Sequence, residues 1–260
     1  MEEEHINAEF AVRMLEAPTA LIEENQAAAT DRLILLFDLI NFNSIKNICD
    51  IGSRFLEQSR ELSYIFPDAK VYAFEPVPES HQICCDNLAK LPTEYRDRIK
   101  VYNVAVGNED KTIPFYPVDN TGSEFNIGAS SKYKFIPGLN GSWWDKTWNQ
   151  TEIQVQQVTL DDHRAKHNIG PIDLIWMDVQ GGELDALMGA EQTLKDVKVI
   201  LTEVGLDSYY QGQSLKPQID AYMKSQGFRE LRNGFRKNFQ YEGDTIYVKE
   251  GLVDEDSLLR

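Results

Sequence analysis

Five short apolar runs in this chain each close on a polar or acidic residue, and that repetition constrains the fold more than any other feature. Asn47-Ile48-Cys49-Asp50-Ile51 runs into Gly52, and Val71-Tyr72-Ala73-Phe74 runs into Glu75-Pro76. A run over 100–106 carries Asn103 and turns at Gly107-Asn108, while 172–177 ends on Asp178 and 197–202 on Glu203. Between them, 78–90, 182–194 and 214–226 carry helical periodicity, the last closed by Gly227 in the C-cap position. Strands that are apolar throughout and separated by helices build a parallel sheet covered on both faces. Right-handed crossovers bring the C-terminal strand ends to one edge, where open sheets bind ligands. The expected class is α/β: a Rossmann-like, mostly parallel sheet with helices on both faces. Segments 228–232 and 245–249 read as the antiparallel closing strands.

Residues 1–45 read as an N-terminal helical cap. Thr30-Asp31 caps a helix with Leu33, Leu36, Phe37 and Ile40 on one face, which packs beside the first strand or helps a homodimer form. The sheet domain spans 46–250, and 251–260 is an acidic tail. Within the domain, 116–151 breaks the strand-helix alternation with glycines, asparagines and aromatics. A long insertion of this kind is usually a lid or binding loop, so it reads as the substrate cover, with Ser131, Trp143 and Trp144 on the acceptor side.

Composition removes several functions. A net charge of −16 argues against a nucleic-acid partner, because phosphate contacts need clustered Lys and Arg. The longest apolar run, near Leu33-Ile34-Leu35-Leu36-Phe37, is too short to span a bilayer. The start Met-Glu-Glu-Glu-His has no basic and apolar leader pattern. Three cysteines, Cys49, Cys84 and Cys85, form neither a disulfide framework nor a metal spacing, so the cytoplasm is the expected location.

The candidate site lies at the strand ends. Gly52 lets the backbone turn sharply and approach a ligand, although Asp-x-Gly after a strand also serves plain capping. Glu75 follows Asp50 by 25 residues. An acid at about 20 residues accepts the ribose hydroxyls in dinucleotide folds. Asn103 either faces an adenine or is a turn asparagine. Asp178 is read as a general base, a metal ligand or a helix cap. Glu203, on the neighbouring strand end, could share a divalent cation with it or shift its pKa. Thr159 or Asp161 caps the next helix, and His163 is the best imidazole for taking a hydroxyl proton.

Taken in order, Cys49-Asp50-Ile51-Gly52-Ser53, Ala73-Phe74-Glu75-Pro76, Asn103-Val104-Ala105-Val106-Gly107, Gly128-Ala129-Ser130-Ser131, Thr159-Leu160-Asp161-Asp162, Asp178-Val179-Gln180-Gly181-Gly182-Glu183-Leu184 and Glu203-Val204 resemble the FkbM-type methyltransferases. That family belongs to the class I S-adenosylmethionine-dependent enzymes. The resemblance implies S-adenosylmethionine as cofactor, held by Asp50, Gly52, Ser53, Arg54, Glu75, Pro76, Asn103 and Val104. It implies methyl transfer to a hydroxyl of a sugar, glycan or secondary metabolite, with Asp178, then Glu203 and His163, as catalytic candidates. A divalent metal on Asp178 and Glu203 has no further support. Two positions depart from the family pattern. Leu56 stands where the loop usually has a later glycine, so the loop is expected to be shaped differently or the cofactor to sit further away. Trp176 stands where a lysine is common. A catalytically impaired binding or assembly protein, and a nicotinamide oxidoreductase, are the alternatives; the second lacks Gly-x-Gly-x-x-Gly after the first strand.

Overall fold

The structure is a computed structural model, and it describes residues 28–37, 39–118, 127–137, 149–238 and 241–259. The chain opens with a short helix, Ala28–Leu33 (α1), continued by a 3-10 turn over Ile34–Leu36. Strand Asn47–Ile51 (β1), helix Glu57–Ile65 (α2), strand Lys70–Phe74 (β2) and helix Pro78–Lys90 (α3) follow. After the short helix Thr93–Arg96 (α4) come strands Ile99–Tyr102 (β3), Ala105–Val106 (β4), Lys111–Phe115 (β5) and Ile153–Val158 (β6). Helix Leu160–Lys166 (α5), strand Leu174–Met177 (β7), helix Glu183–Met188 (α6) and strand Val199–Gly205 (β8) complete the parallel part. Helix Lys216–Ser225 (α7) leads into Phe228–Glu230 (β9), Arg236–Lys237 (β10) and Glu242–Lys249 (β11).

The main sheet has the order β10-β11-β8-β7-β1-β2-β3, with β9 also on β11. The pairs β1–β2, β1–β7, β2–β3 and β7–β8 are parallel, whereas β11 runs antiparallel to β8, β9 and β10. Strand order therefore reverses beside β1: the chain moves outward to β3, then crosses back to β7. That switch point, between β1 and β7, is where neighbouring loops diverge and leave a crevice.

Each central strand feeds two cores, because successive side chains point to opposite faces. Ile48, Leu174, Val199 and Leu201 join the core under α1 and α2, with Leu33, Leu36 and Phe66. Cys49, Ile175, Met177 and Ile200 join the other, with Leu187, Ile219 and Met223 from α6 and α7.

Three segments differ from the sequence expectation. The run over 100–106 is two strands, not one: after Tyr102 the chain leaves the main sheet, and β4 joins a small second sheet ordered β4-β6-β5. Thr30 lies inside α1 rather than capping it, since the helix begins at Ala28. The helix expected over 182–194 ends at Met188, because Gly189 passes against Gly107. A Cβ on Gly189 would stand 1.9 Å from the Gly107 carbonyl oxygen. Of the tail, Leu258 is buried and bridges to Leu231.

Candidate functional site

The crevice at the switch point is a cavity of about 290 Å³, bordered by Gly52, Arg54, Glu75, Pro76 and Val104 on one side. Asp178, Glu203, Trp176, Arg236 and Asp244 border the other. Its size is near the lower end for small-molecule sites.

The loop after β1 is built around a close approach. Gly52 has φ +91, and a Cβ there would lie 1.8 Å from the Asp178 carbonyl oxygen. The amides of Gly52 and Ser53 both donate to the Phe74 carbonyl, which folds the loop over the end of β2. Leu56 closes the loop with φ 76, the left-handed conformation that a glycine adopts freely. The leucine side chain is wholly buried.

Glu75 ends β2 beside this loop and is 6% exposed. One carboxylate oxygen accepts the Arg54 amide at 2.9 Å and the other the Val77 amide at 2.9 Å. Burial pushes its pKa up to about 8, against the pull of those two amides. Each oxygen keeps a second lone pair, which suits two neighbouring hydroxyls. The Arg54 side chain turns away to pair with Glu57 at 2.7 Å.

Asp50, Ser53 and Asn103 do not border the cavity. Asp50 is fully buried beneath the loop, where one oxygen accepts the Ser53 hydroxyl at 2.8 Å and the Ser59 hydroxyl at 2.5 Å. Its other oxygen is buried with no partner, and desolvation raises its pKa to about 6. Asn103 spends its amide on the Glu75 and Pro76 carbonyls, at 2.9 and 3.1 Å, and so holds the Glu-Pro turn from behind.

On the opposite side, Asp178 opens onto the cavity and Gln180 reaches back over it. The Gln180 amide donates to Asp178 and to Glu203, each at 2.8 Å, so it stands between the two carboxylates. Its left-handed backbone, φ 54, makes that reach possible. The Tyr210 hydroxyl lies 2.8 Å from the Gln180 amide oxygen. Desolvation raises the pKa of Asp178 to about 6, and desolvation with the neighbouring Asp178 charge raises Glu203 well above the carboxylate range. Asp178 is therefore largely ionised at neutral pH. Among the described residues no group of three His, Cys, Asp or Glu side chains could hold a metal.

His163 lies elsewhere. It sits on α5 against Tyr102 and His167, with ring centroids 4.4 and 4.2 Å away, and reaches the cavity only through the edge of Phe74. Desolvation lowers its pKa to about 4, so it stays neutral. Thr159 caps α5 by accepting the Asp162 amide, and Asp161 instead accepts the Thr193 amide and hydroxyl. Ser131 is buried; its hydroxyl donates to the Gln180 carbonyl at 2.6 Å, so it ties segment 127–137 to the Gln180 loop without bordering the cavity. Trp143 and Trp144 lie outside the described residues. Sequence reasoning missed Gln180 as the bridge, and Arg32, Arg236, Asn238 and Asp244 as cavity residues. Only sheet pairing and the fold of α1 bring those four together.

A reversing parallel sheet, an antiparallel closing strand and a ligand crevice at the switch point together define a class I methyltransferase fold. The Methyltransferase FkbM domain matches residues 50–230, and the chain belongs to this family of S-adenosylmethionine-dependent methyltransferases. It is 31% identical over 168 residues to "2-O-methyltransferase NoeI" of Sinorhizobium fredii (strain NBRC 101917 / NGR234), a match covering 64% of this chain and 66%, just under two thirds, of that one. It is 22% identical over 211 residues to "Methyltransferase sdnD" of Sordaria araneosa, covering 76% and 79% of the two chains. It also aligns with the solved METTL16 MTase domain at 11% identity and a TM-score of 0.49, over 92% of this chain and 78% of that one. Among the described residues no helix is long and apolar enough to cross a membrane.

Proposed function

We propose that this protein transfers the methyl group of S-adenosylmethionine to a hydroxyl oxygen of a sugar, glycan or secondary metabolite. The observation that carries the reading is that the Gly52 loop with Glu75 and the Asp178 carboxylate border one cavity. The residues suit the cofactor. Gly52 lets the loop pass against the Asp178 backbone at the cavity's edge, and Glu75 offers two lone pairs to a ribose. Pro76 and Val104 supply apolar wall beside them. When bound, the cofactor supplies an activated methyl on a sulfonium, so the protein's task is largely positioning and proton removal.

In this reading Asp178 takes the proton from the acceptor hydroxyl. It is ionised at neutral pH, yet its raised pKa gives it more proton affinity than an ordinary aspartate. Gln180 fixes its carboxylate, and burial beside the Asp178 charge favours the uncharged form of Glu203. In this reading His163, neutral and behind Phe74, has no part. A small-molecule or glycan acceptor enters from the side of segment 127–137. A cytoplasmic location fits the three free cysteines. Calorimetry with S-adenosylhomocysteine tests the cofactor assignment: binding supports it, and no binding at millimolar concentration removes it.

A further inference from the structure

We infer that Tyr210 is a positioning residue for the methyl transfer: its hydroxyl, held between segment 127–137 and Gln180, fixes the side-chain amide that grips Asp178. The inference rests on the reading of Asp178 as the base and names a residue that acts on it through a partner.

Tyr210 follows β8 and is buried. Its hydroxyl lies 2.8 Å from the Gln180 amide oxygen and 3.0 Å from the Ala129 carbonyl oxygen. Both of those atoms are acceptors, so the single phenolic hydrogen holds the three groups together. A glutamine can present either its oxygen or its NH2 to a neighbour. Donation from Tyr210 to the oxygen turns the NH2 the other way, toward Asp178 and Glu203 at 2.8 Å each. Taking the hydroxyl away leaves that buried oxygen without its donor, a cost that the amide relieves by moving off the carboxylates.

The tyrosine is itself firmly placed. Its ring stacks on Phe135, with centroids 5.2 Å apart. The Ile136 amide donates to the Tyr209 carbonyl at 2.7 Å and the Gln211 amide to the Lys134 carbonyl at 2.8 Å, which pairs the two segments. The Gln213 side chain accepts the Tyr209 and Tyr210 amides at 2.9 and 3.2 Å. The ring alone would secure this packing, and the hydroxyl adds the link to Gln180. Ser131 ties the Gln180 main chain to the same segment at 2.6 Å. Gly128, Ser130 and Lys132 of that segment border the cavity, so one wall of the cavity is hydrogen-bonded to the group that holds Asp178.

Charged groups face Asp178 from each neighbouring element: Arg54 from the loop after β1, Glu183 from α6, Glu203 from β8, and Glu242 and Asp244 from β11. Tyr210 adds no charge to them, because burial and the surrounding carboxylates push its hydroxyl well above its usual range and keep it neutral. Its influence on Asp178 therefore passes through the Gln180 amide.

The test reads the Asp178 carboxyl directly. The protein is labelled with carbon-13 at the aspartate carboxyls, and Asp178→Asn assigns the resonance. In the wild type it should titrate at about 6. Tyr210→Phe keeps the stacked ring and removes the hydroxyl, so the midpoint should rise by about half a pH unit. In a Gln180→Leu background the same substitution should move it by no more than about 0.2 unit, because the path is already cut. Phe135→Leu loosens the packing and keeps the hydroxyl, so it should lower the Tm and leave the midpoint in place. S-adenosylhomocysteine affinity of Tyr210→Phe should stay within about twofold of the wild type. An unmoved midpoint in Tyr210→Phe overturns the inference, and so does an equal shift with and without Gln180. Should Tyr210→Phe fail to fold, 3-fluorotyrosine in place of Tyr210 decides: as a stronger donor of nearly the same shape it should lower the midpoint, and no change overturns the inference. A wild-type midpoint of about 4, ordinary for an aspartate, overturns the base reading instead. A wild type that binds no S-adenosylhomocysteine overturns the methyltransferase reading.

Discussion

A Cβ on Gly52 would stand 1.8 Å from the carbonyl oxygen of Asp178, so the cofactor loop and the candidate base are locked together through bare backbone. Gly52→Ala must separate them and also force a methyl side chain into φ +91. We expect a loss of about 2–4 kcal/mol in unfolding free energy, from backbone strain and forced displacement. Urea unfolding measures it, and S-adenosylhomocysteine calorimetry should show binding abolished. A variant as stable and as tight-binding as the wild type would contradict this geometry.

Glu75 is the residue whose loss should tell most directly on the cofactor. Glu75→Ala removes both hydroxyl acceptors and leaves the Arg54 and Val77 amides without their partner. We expect S-adenosylhomocysteine to bind more weakly by about 1–3 kcal/mol, the cost of the lost hydrogen bonds to the ribose. Unchanged affinity in calorimetry would take Glu75 out of the site.

Leu56 sets backbone strain against burial. Its left-handed φ of 76 costs about 1–2 kcal/mol for an L-residue, which Leu56→Gly would relieve. The same substitution removes a fully buried leucine side chain, a loss of about 2–5 kcal/mol. Burial outweighs strain, so the family-like glycine should destabilise this chain by about 1–3 kcal/mol in chemical denaturation. A stabilised variant would mean that strain dominates.

These residues show what the sequence could reveal. Asp50, Glu75, Asp178 and Glu203 stood out because each ends an apolar run, and parallel strands must deliver such ends to one edge. What a side chain does there depends on partners far along the chain. Asp50 turns under the loop because Ser53 and Ser59 face it, and Asn103 serves Glu75 from behind. The split of 100–106 into two strands follows from a second sheet whose middle strand lies some 50 residues on. Trp176 was visible as an irregularity, but its neighbours Arg32 and Asp244 meet it only through packing of α1 and pairing of β11 with β8.

Gln180 should govern the acid limb of the activity profile. A base works in its ionised form, so kcat/KM should rise with pH and level off above about 6, the pKa of Asp178. The Gln180 hydrogen bond is a cause that lowers that pKa. Gln180→Leu removes it, and the inflection should move up by about one pH unit. A profile unmoved by the substitution would separate Gln180 from the base.

Buried carboxyls also fix how stability depends on pH. Desolvation raises Asp50 from 3.8 to about 6, and Glu183 and Glu242 from 4.5 to about 7. The unfolded chain releases these protons at the lower values, so between about pH 4 and 7 the native state binds more protons than the unfolded state. Stability then falls as pH rises through that window, the reverse of a protein held by salt-bridged carboxylates. The Tm of the ligand-free protein should be several degrees higher at pH 5.5 than at pH 8. The net charge of −16 pushes the same way by self-repulsion, so a second measurement is needed to isolate the buried groups. Asp50→Asn has the same shape, can still accept both serine hydroxyls and does not ionise, so it should flatten the slope of Tm against pH. A slope untouched by Asp50→Asn would show that Asp50 titrates alike in the folded and the unfolded protein.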